Sequence, residues 1–174
     1  MDQDQRRAAL EGLYAAHAAS VRGYLRQRTD AATADDLLSD VFVIAWRRLE
    51  KVPPDPLPWL LACARNVLAH SYRSERRRVA LIDRLRDTTR PESMAVWGGS
   101  GRLAQALGAL GERDREALLL IVWDDLSPEQ AAAVLGCSRR AFAMRLHRGR
   151  KRLAAALSAA DRLDSPTVLE ACND

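Results

Sequence analysis

Cysteine, membrane-length apolar runs and strand-like alternation are all scarce in this chain of 174 residues, and each scarcity removes a class of protein. The three cysteines, Cys63, Cys137 and Cys172, are odd in number and far apart, which builds neither a disulfide framework nor a metal knuckle. Cys63 and Cys137 fall in apolar helical settings, where cysteine serves as a small core residue. No apolar segment approaches the length of a membrane span, and the opening M-D-Q-D-Q-R-R has no apolar signal core behind it, so a cytoplasmic protein is expected. Alternation of period two is nearly missing while helical periodicity dominates. Only two of the 27 basic residues are lysine, Lys51 and Lys151. With abundant alanine this points to a GC-rich genome, which concerns origin and not mechanism.

An apolar share of 48% is ample for a packed core, and the length suits one ordinary domain or two small ones. The net charge of +4 is modest, but its distribution is not. Residues 103–137 hold two arginines against six acids, residues 138–152 hold seven bases and no acid, and residues 158–174 hold one arginine against four acids. Positive charge is concentrated on one short stretch.

That stretch belongs to S-P-E-Q-A-A-A-V-L-G-C-S-R-R-A-F-A-M-R-L-H-R-G-R-K-R, residues 127–152. Ser127, Pro128 at the first helical position and Gln130 three residues after the serine form a capping box with a pre-set φ. The helix they open turns Ala131, Ala132, Val134 and Leu135 inward and stops at Gly136, which can take the left-handed conformation; Ser138 then caps a second helix. Two short helices joined in this way form a helix-turn-helix. In the second helix Phe142, Leu146 and Leu153 form the inward series, and Phe142 is expected to be buried. Its other faces carry Arg139, Arg140, Arg145, Arg148, Arg150, Lys151 and Arg152. A merely solvated helix mixes signs to gain i,i+4 pairs; this one does not, and it is suited to lie against phosphate.

Elsewhere, residues 8–28 place Leu10, Leu13, Tyr14, His17, Val21, Tyr24 and Leu25 on one face. Thr33 and Asp36 read as a second capping box opening a helix through about Glu50, with Leu37, Leu38, Val41, Phe42, Ala45 and Leu49 inward. V-P-P-D-P-L-P, residues 52–58, is a stiff loop. A third helix is expected over about 57–77, ending in Arg73, Arg76, Arg77 and Arg78, which also suit the helix dipole. The glycine cluster W-G-G-S-G closes the stretch that best marks a domain boundary. The organisation expected is all-α: one small domain over 1–78, a linker over 79–102, a second domain of four short helices over 103–157, and an acidic, disordered tail over 158–174.

Two of these segments resemble the extracytoplasmic-function group of bacterial RNA polymerase sigma factors. D-D-L-L-S-D-V-F-V-I-A-W-R-R-L (35–49) followed by P-W-L-L-A-C-A-R-N-V-L-A-H-S-Y-R-S-E-R-R-R (58–78) looks like sigma region 2. L-A-Q-A-L-G-A-L-G-E-R-D-R-E-A-L-L-L (103–120) followed by the helix-turn-helix looks like sigma region 4. The resemblance implies promoter selection and strand opening for core polymerase, by binding and without catalytic residues, cofactor or metal. It implies docking of the helix over 33–50 on the β′ subunit through Asp36, Asp40 and Arg47, flanked by Asp35 and Phe42. For Asp35 and Asp36, a favourable interaction with the helix N-terminus is the competing explanation.

The resemblance further implies that a base of the minus-ten element is held out of the stack beside Arg65 and Asn66, with Trp59 and Tyr72 as aromatic neighbours and Arg73, Arg76 and Arg77 on the strand backbone. Trp59 also belongs to the apolar series of its helix, so a core role competes with a stacking role. Many relatives carry Asp where this chain has His70, and contacts of that acid do not carry over. In the second domain the implied minus-thirty-five contacts are Arg139, Arg140, Ala143, Met144, His147 and Arg148. The basic ones can meet guanine or phosphate, and Ala143 and Met144 only apolar groups such as a thymine methyl. Relatives usually have Thr-Val at 141 and 142 and a basic-serine pair at 143 and 144, so their promoter preference cannot be copied. The partners implied are the β′ and β subunits of core polymerase, single- and double-stranded promoter DNA, and an anti-sigma factor that wedges between the two domains.

Two rival classes use the same residues differently. A dimeric operator-binding regulator would share the helix-turn-helix and would need residues 10–78 for dimerisation or ligand sensing. An enzyme would need His17, His70 or His147 as a base, or Asp35, Asp36 and Asp40 as a metal site; each histidine lies on a different helix with no carboxylate at ligand spacing.

Overall fold

The computed structural model describes residues 2–85 and 101–164. The regular elements among them are helices: α1 (Gln3–Arg26), α2 (Ala31–Arg47), α3 (Pro56–Leu85), α4 (Arg102–Gly108), α5 (Glu112–Val122), α6 (Pro128–Val134) and α7 (Arg139–Asp164), with a single 3-10 turn over Leu49–Lys51. Helices α1 to α3 form one bundle and α4 to α7 another, and α6 packs on α3 so that the two bundles abut.

Helix starts follow the capping chemistry, though not always where the sequence suggests. Asp2 and Gln5 make a capping box, so α1 begins five residues before the expected 8. At α2 the cap is Asp30, whose carboxylate accepts the Thr33 N–H at 3.0 Å. The expected Thr33–Asp36 box is not formed, because an ionised acceptor three residues upstream already takes that donor. The same hydrogen bond holds the Asp30 carboxyl below its ordinary value. Pro56 opens α3 from the proline-rich loop. α3 then continues through Leu85, past the expected end near 77 and into the stretch assigned to a linker; the glycine cluster 98–101 lies outside the described residues apart from Gly101. α7 likewise runs to Asp164, beyond the expected 157, and so takes up the first residues of the stretch read as a tail; the rest of that stretch, with Cys172, is outside the described residues.

The first bundle buries Val21, Tyr24 and Leu25 of α1, Leu37, Leu38, Val41, Phe42 and Ala45 of α2, and Leu60, Leu61, Ala64 and Leu68 of α3. The second is closed by Leu118 to Leu120 of α5, Ala131, Ala132 and Val134 of α6, and Phe142 and Leu146 of α7. Each fully buried leucine or phenylalanine contributes roughly 1.5–3 kcal/mol of transfer free energy. The two apolar sets join into one cluster where α6 meets α3, and the bundles share part of their core there.

Candidate nucleic-acid interface

The helix-turn-helix forms as its residues require. Ser127 Oγ accepts the Gln130 N–H at 3.2 Å while Gln130 Oε1 accepts the Ser127 N–H at 3.0 Å. Gly136 sits at φ +59°, and Ser138 Oγ accepts the Ala141 N–H at 3.2 Å to start α7. Phe142 is fully buried beneath α7. With that face turned in, Arg139, Arg140, Ala143, Met144, His147 and Arg148 are all exposed, in two i, i+4, i+8 rows side by side. Met144 is 56% exposed in the middle of this basic surface.

A buried acid sets how α7 lies. Asp114 of α5 accepts from Arg152 Nη1 at 2.6 Å and pairs with Arg148 Nη2 at 3.5 Å. Between these two arginines, Gly149 lets the backbones close up: a Cβ there would stand 2.9 Å from the Asp114 carbonyl oxygen and 3.2 Å from Leu118. Arg148, one of the six surface residues, is thereby tied to α5, and Arg139 is paired with Glu129 of α6 at 2.9 Å.

The residues expected at the minus-ten element divide between two faces of α3. Asn66, Arg73, Arg76 and Arg77 are exposed. Arg65 and Tyr72, seven residues apart, are also partly exposed but lie beside the second bundle, lining a cavity with Glu116 and Leu119 of α5. Arg65 Nε bonds Glu116 of α5 at 3.3 Å, and the Tyr72 hydroxyl donates to the Arg28 carbonyl. Trp59 is half-buried against the core, with one side on a groove of about 470 Å³ walled by Pro53, Asp55 and Pro58 and, from α6, by Glu129, Gln130 and Ala133. On α2, Asp35, Asp36, Asp40 and Arg47 are exposed, Asp35 being paired with Arg22 at 2.9 Å and Arg26 at 3.7 Å. Phe42 is not part of that surface. It is 6% exposed with its ring against Tyr14, since the helical period that turns Asp36 and Asp40 out turns position 42 in.

The family pattern for Sigma-70 region 2 matches residues 13–78, and that for Sigma-70 region 4 matches residues 100–153. The chain is 33% identical to the RNA polymerase sigma factor CarQ of Myxococcus xanthus over 158 residues, 87% of this chain and 90% of CarQ. It belongs to the extracytoplasmic-function sigma factors. The ECF RNA polymerase sigma factor EcfG of Rhodopseudomonas palustris is 30% identical over 74% of this sigma factor and 73% of its own length. Among solved structures, CnrH in complex with the cytosolic domain of CnrY superposes with a TM-score of 0.61 at 29% identity, covering 91% of each chain. The sigma factor directs RNA polymerase to promoters and is a DNA-binding transcription initiation protein. A dimeric operator regulator is not favoured, because the half it would need for dimerisation or sensing is the half that matches region 2. The relatives are sigma factors and not enzymes. No helix among the described residues is long and apolar enough to cross a membrane.

Sequence reasoning misses the polar contacts between the two bundles of the sigma factor. Arg28, at the end of α1, lies over the Tyr24 ring at 3.6 Å, donates to the Tyr24 carbonyl at 2.8 Å, and pairs with Asp124 at 3.2 Å, the two side chains being 7% and 5% exposed. The Tyr24 hydroxyl donates to Glu116 at 3.0 Å. Burial holds the Tyr24 phenol above its usual range, Glu116 adding to this and Arg28 opposing it. Burial likewise raises Asp124, although Arg28 favours its charged form. Nothing in the local sequence links positions 96 residues apart, and helical periodicity says only that Tyr24 is inward.

Proposed function

We propose that this sigma factor divides its work between the two halves matched to regions 2 and 4, residues 1–78 and 103–157, joined through 79–102. In this reading α2 binds core polymerase on the β′ subunit through Asp36, Asp40 and Arg47, with Asp35 at the edge, while Phe42 supports the surface from the core. The exposed row Asn66, Arg73, Arg76 and Arg77 of α3, with Arg65, Tyr72 and Trp59 beside it, receives the single-stranded minus-ten element. Stacking faces, an amide and backbone cations are what an extruded base and its phosphates need.

The face of α7 made by Arg139, Arg140, Ala143, Met144, His147 and Arg148 enters the major groove of the minus-thirty-five duplex. The observation that carries this assignment is that all six lie exposed on one side of a helix whose other side is locked by Phe142. A surface mixing bidentate donors with one exposed methionine suits base edges as well as phosphates. Such a protein works where the polymerase is, in the cytoplasm. An anti-sigma partner is supported by the RpoE of Bartonella quintana, solved in complex with the anti-sigma factor NepR, which superposes with a TM-score of 0.63 at 25% identity over 85% of this chain and 96% of RpoE.

The test is transcription with purified bacterial core polymerase on a pool of promoter fragments, reading the start sites with and without the chain. Starts that need the chain and share two spaced upstream motifs are expected. Replacing Arg140 and His147 by alanine should change which upstream motif is used, and replacing Asp36 and Asp40 should remove the starts without changing duplex binding. Loss of duplex binding in the Asp36 and Asp40 variants would refute the division.

A further inference from the structure

Asp114 is 5% exposed, and both of its carboxylate oxygens face α7: Oδ2 accepts from Arg152 Nη1 at 2.6 Å, and Oδ1 pairs with Arg148 Nη2 at 3.5 Å. The arginines are not buried with it, their side chains being 53% and 60% exposed. A guanidinium has five N–H donors, so each of these keeps donors for another acceptor.

The row Arg140, Met144, Arg148, Arg152 winds around α7. Each step of four residues advances about 6 Å along the axis and about 40° around it. Arg140 and Met144 are exposed on the outer face, Arg152 has turned about 120° from Arg140 to meet α5, and Arg148 stands at the edge between them. Gly149, between the two arginines, keeps α7 close against the Asp114 carbonyl.

We propose that Asp114 is a positioning residue for promoter recognition: it holds Arg148 as a fixed clamp for a strand phosphate at the edge of the α7 face, and it keeps Arg152 away from the DNA. The inference rests on the placing of α7 in the major groove proposed above, and adds to it a division among the arginines. Attraction to phosphate carries no sequence information, and a helix whose cations are all free binds any duplex. An arginine anchored on a carboxylate loses less freedom when it meets a phosphate, and meets it at one place. That place sets the register in which Arg140, Ala143, Met144 and His147 reach the bases. Arg152, turned off the outer face, would add only attraction to phosphate if it were free. Asp114 therefore raises discrimination between sequences and not affinity as such.

The test measures binding of the full chain to two short duplexes, one carrying the upstream motif found by start-site mapping and one of mixed sequence, by fluorescence anisotropy over a range of salt. Asp114→Asn should bind the mixed duplex more tightly, with the slope of log K against log salt steeper by about 0.9, the increment of one added phosphate contact. Its preference for the motif should fall about ten-fold, within the cost of one misread base pair. Adding Arg152→Ala to Asp114→Asn should return the slope to that of the unchanged chain while the preference stays low, because Arg148 is still unanchored. A purely structural role for Asp114 would weaken both duplexes in proportion at an unchanged slope, and that result would overturn the proposal.

Arg148→Lys, a change at a half-exposed side chain, decides the matter if Asp114→Asn does not fold. Lysine keeps the charge but lacks the planar fork that holds a carboxylate and a phosphate together. Binding of the mixed duplex should be kept and the preference for the motif lost; a preference that survives would overturn the proposal. If the unchanged chain itself shows no preference for the motif, the role proposed for α7 fails. The slopes on the mixed duplex then still decide whether Asp114 withholds Arg152, and an unchanged slope in Asp114→Asn overturns that.

Discussion

α3 and α7 are the two longest helices of this sigma factor, and both combine an apolar face with many arginines, yet they present those arginines differently. On α7 one buried phenylalanine and one buried acid fix the helix, and the cations line a continuous outer surface. On α3 the cations divide: Arg73, Arg76 and Arg77 look outward, and Arg65 meets Glu116 of the other bundle. Arginine content measures the capacity to meet phosphate, but only packing decides which guanidiniums are available. The carboxylates that pair with the α7 arginines come from its own bundle, whereas Arg65 of α3 is paired with a carboxylate of the other bundle.

The strongest way to break the contrast is at the anchor of α7. Phe142→Ala empties a fully buried ring site and should cost about 3–5 kcal/mol, the range for aromatic truncation in a core. Thermal unfolding followed by circular dichroism should show a separate early transition for residues 101–164. A loss under 1 kcal/mol would mean that α7 is not held by this residue. Gly149→Ala comes next. Its methyl would meet the Asp114 carbonyl at 2.9 Å and must push α7 off α5, at about 1–3 kcal/mol by the usual cost of overpacking. Duplex binding should weaken with it, because the six exposed residues move as a body.

A finer separation comes from single arginines of α3. In the isolated chain Arg73→Ala should weaken single-strand binding by several-fold, and Arg65→Ala should do little because Glu116 already holds that guanidinium. Combined with Glu116→Gln, the Arg65→Ala change should become as damaging as Arg73→Ala. Titrations of a labelled oligonucleotide check both. An Arg65→Ala effect that is the same with and without Glu116 would mean that Glu116 does not limit Arg65.

What was legible in the sequence follows from how local each determinant is. Ser127, Gln130, Gly136 and Ser138 act within a few residues, so the helix-turn-helix and the burial of Phe142 could be read directly, as could the exposure of Asp36, Asp40 and the α7 row. The start of α2 was misplaced because two acceptors, Asp30 and Thr33, both suit a cap, and only backbone geometry chooses between them. Phe42 was assigned by resemblance to a surface that its own periodicity denies it. The extension of α3 to Leu85 and of α7 to Asp164 has no strong stop signal to contradict it, and composition alone suggested a linker and a tail. The pairing of Arg28 with Asp124 and of Arg65 with Glu116 was out of reach, because nothing in either segment encodes its partner.

The smallest expected effect tests the cap that the sequence misplaced. Thr33 donates its backbone N–H to Asp30, and this hydrogen bond keeps the Asp30 carboxyl ionised below its ordinary value of 3.8. Because the native value is the lower one, the stabilisation of α2 by the charged cap is complete above the ordinary value and disappears as pH falls through the native one. Asparagine caps nearly as well and does not titrate. Asp30→Asn should therefore leave the midpoint of thermal unfolding almost unchanged at neutral pH and lessen its decline in acid. Thr33→Ala keeps the backbone N–H but removes the hydroxyl that also favours the charged Asp30, and should lessen that decline only in part. If Thr33→Ala destabilised α2 at neutral pH while Asp30→Ala did not, the threonine side chain would be capping after all, and the start of the helix would move back to where its sequence first suggested.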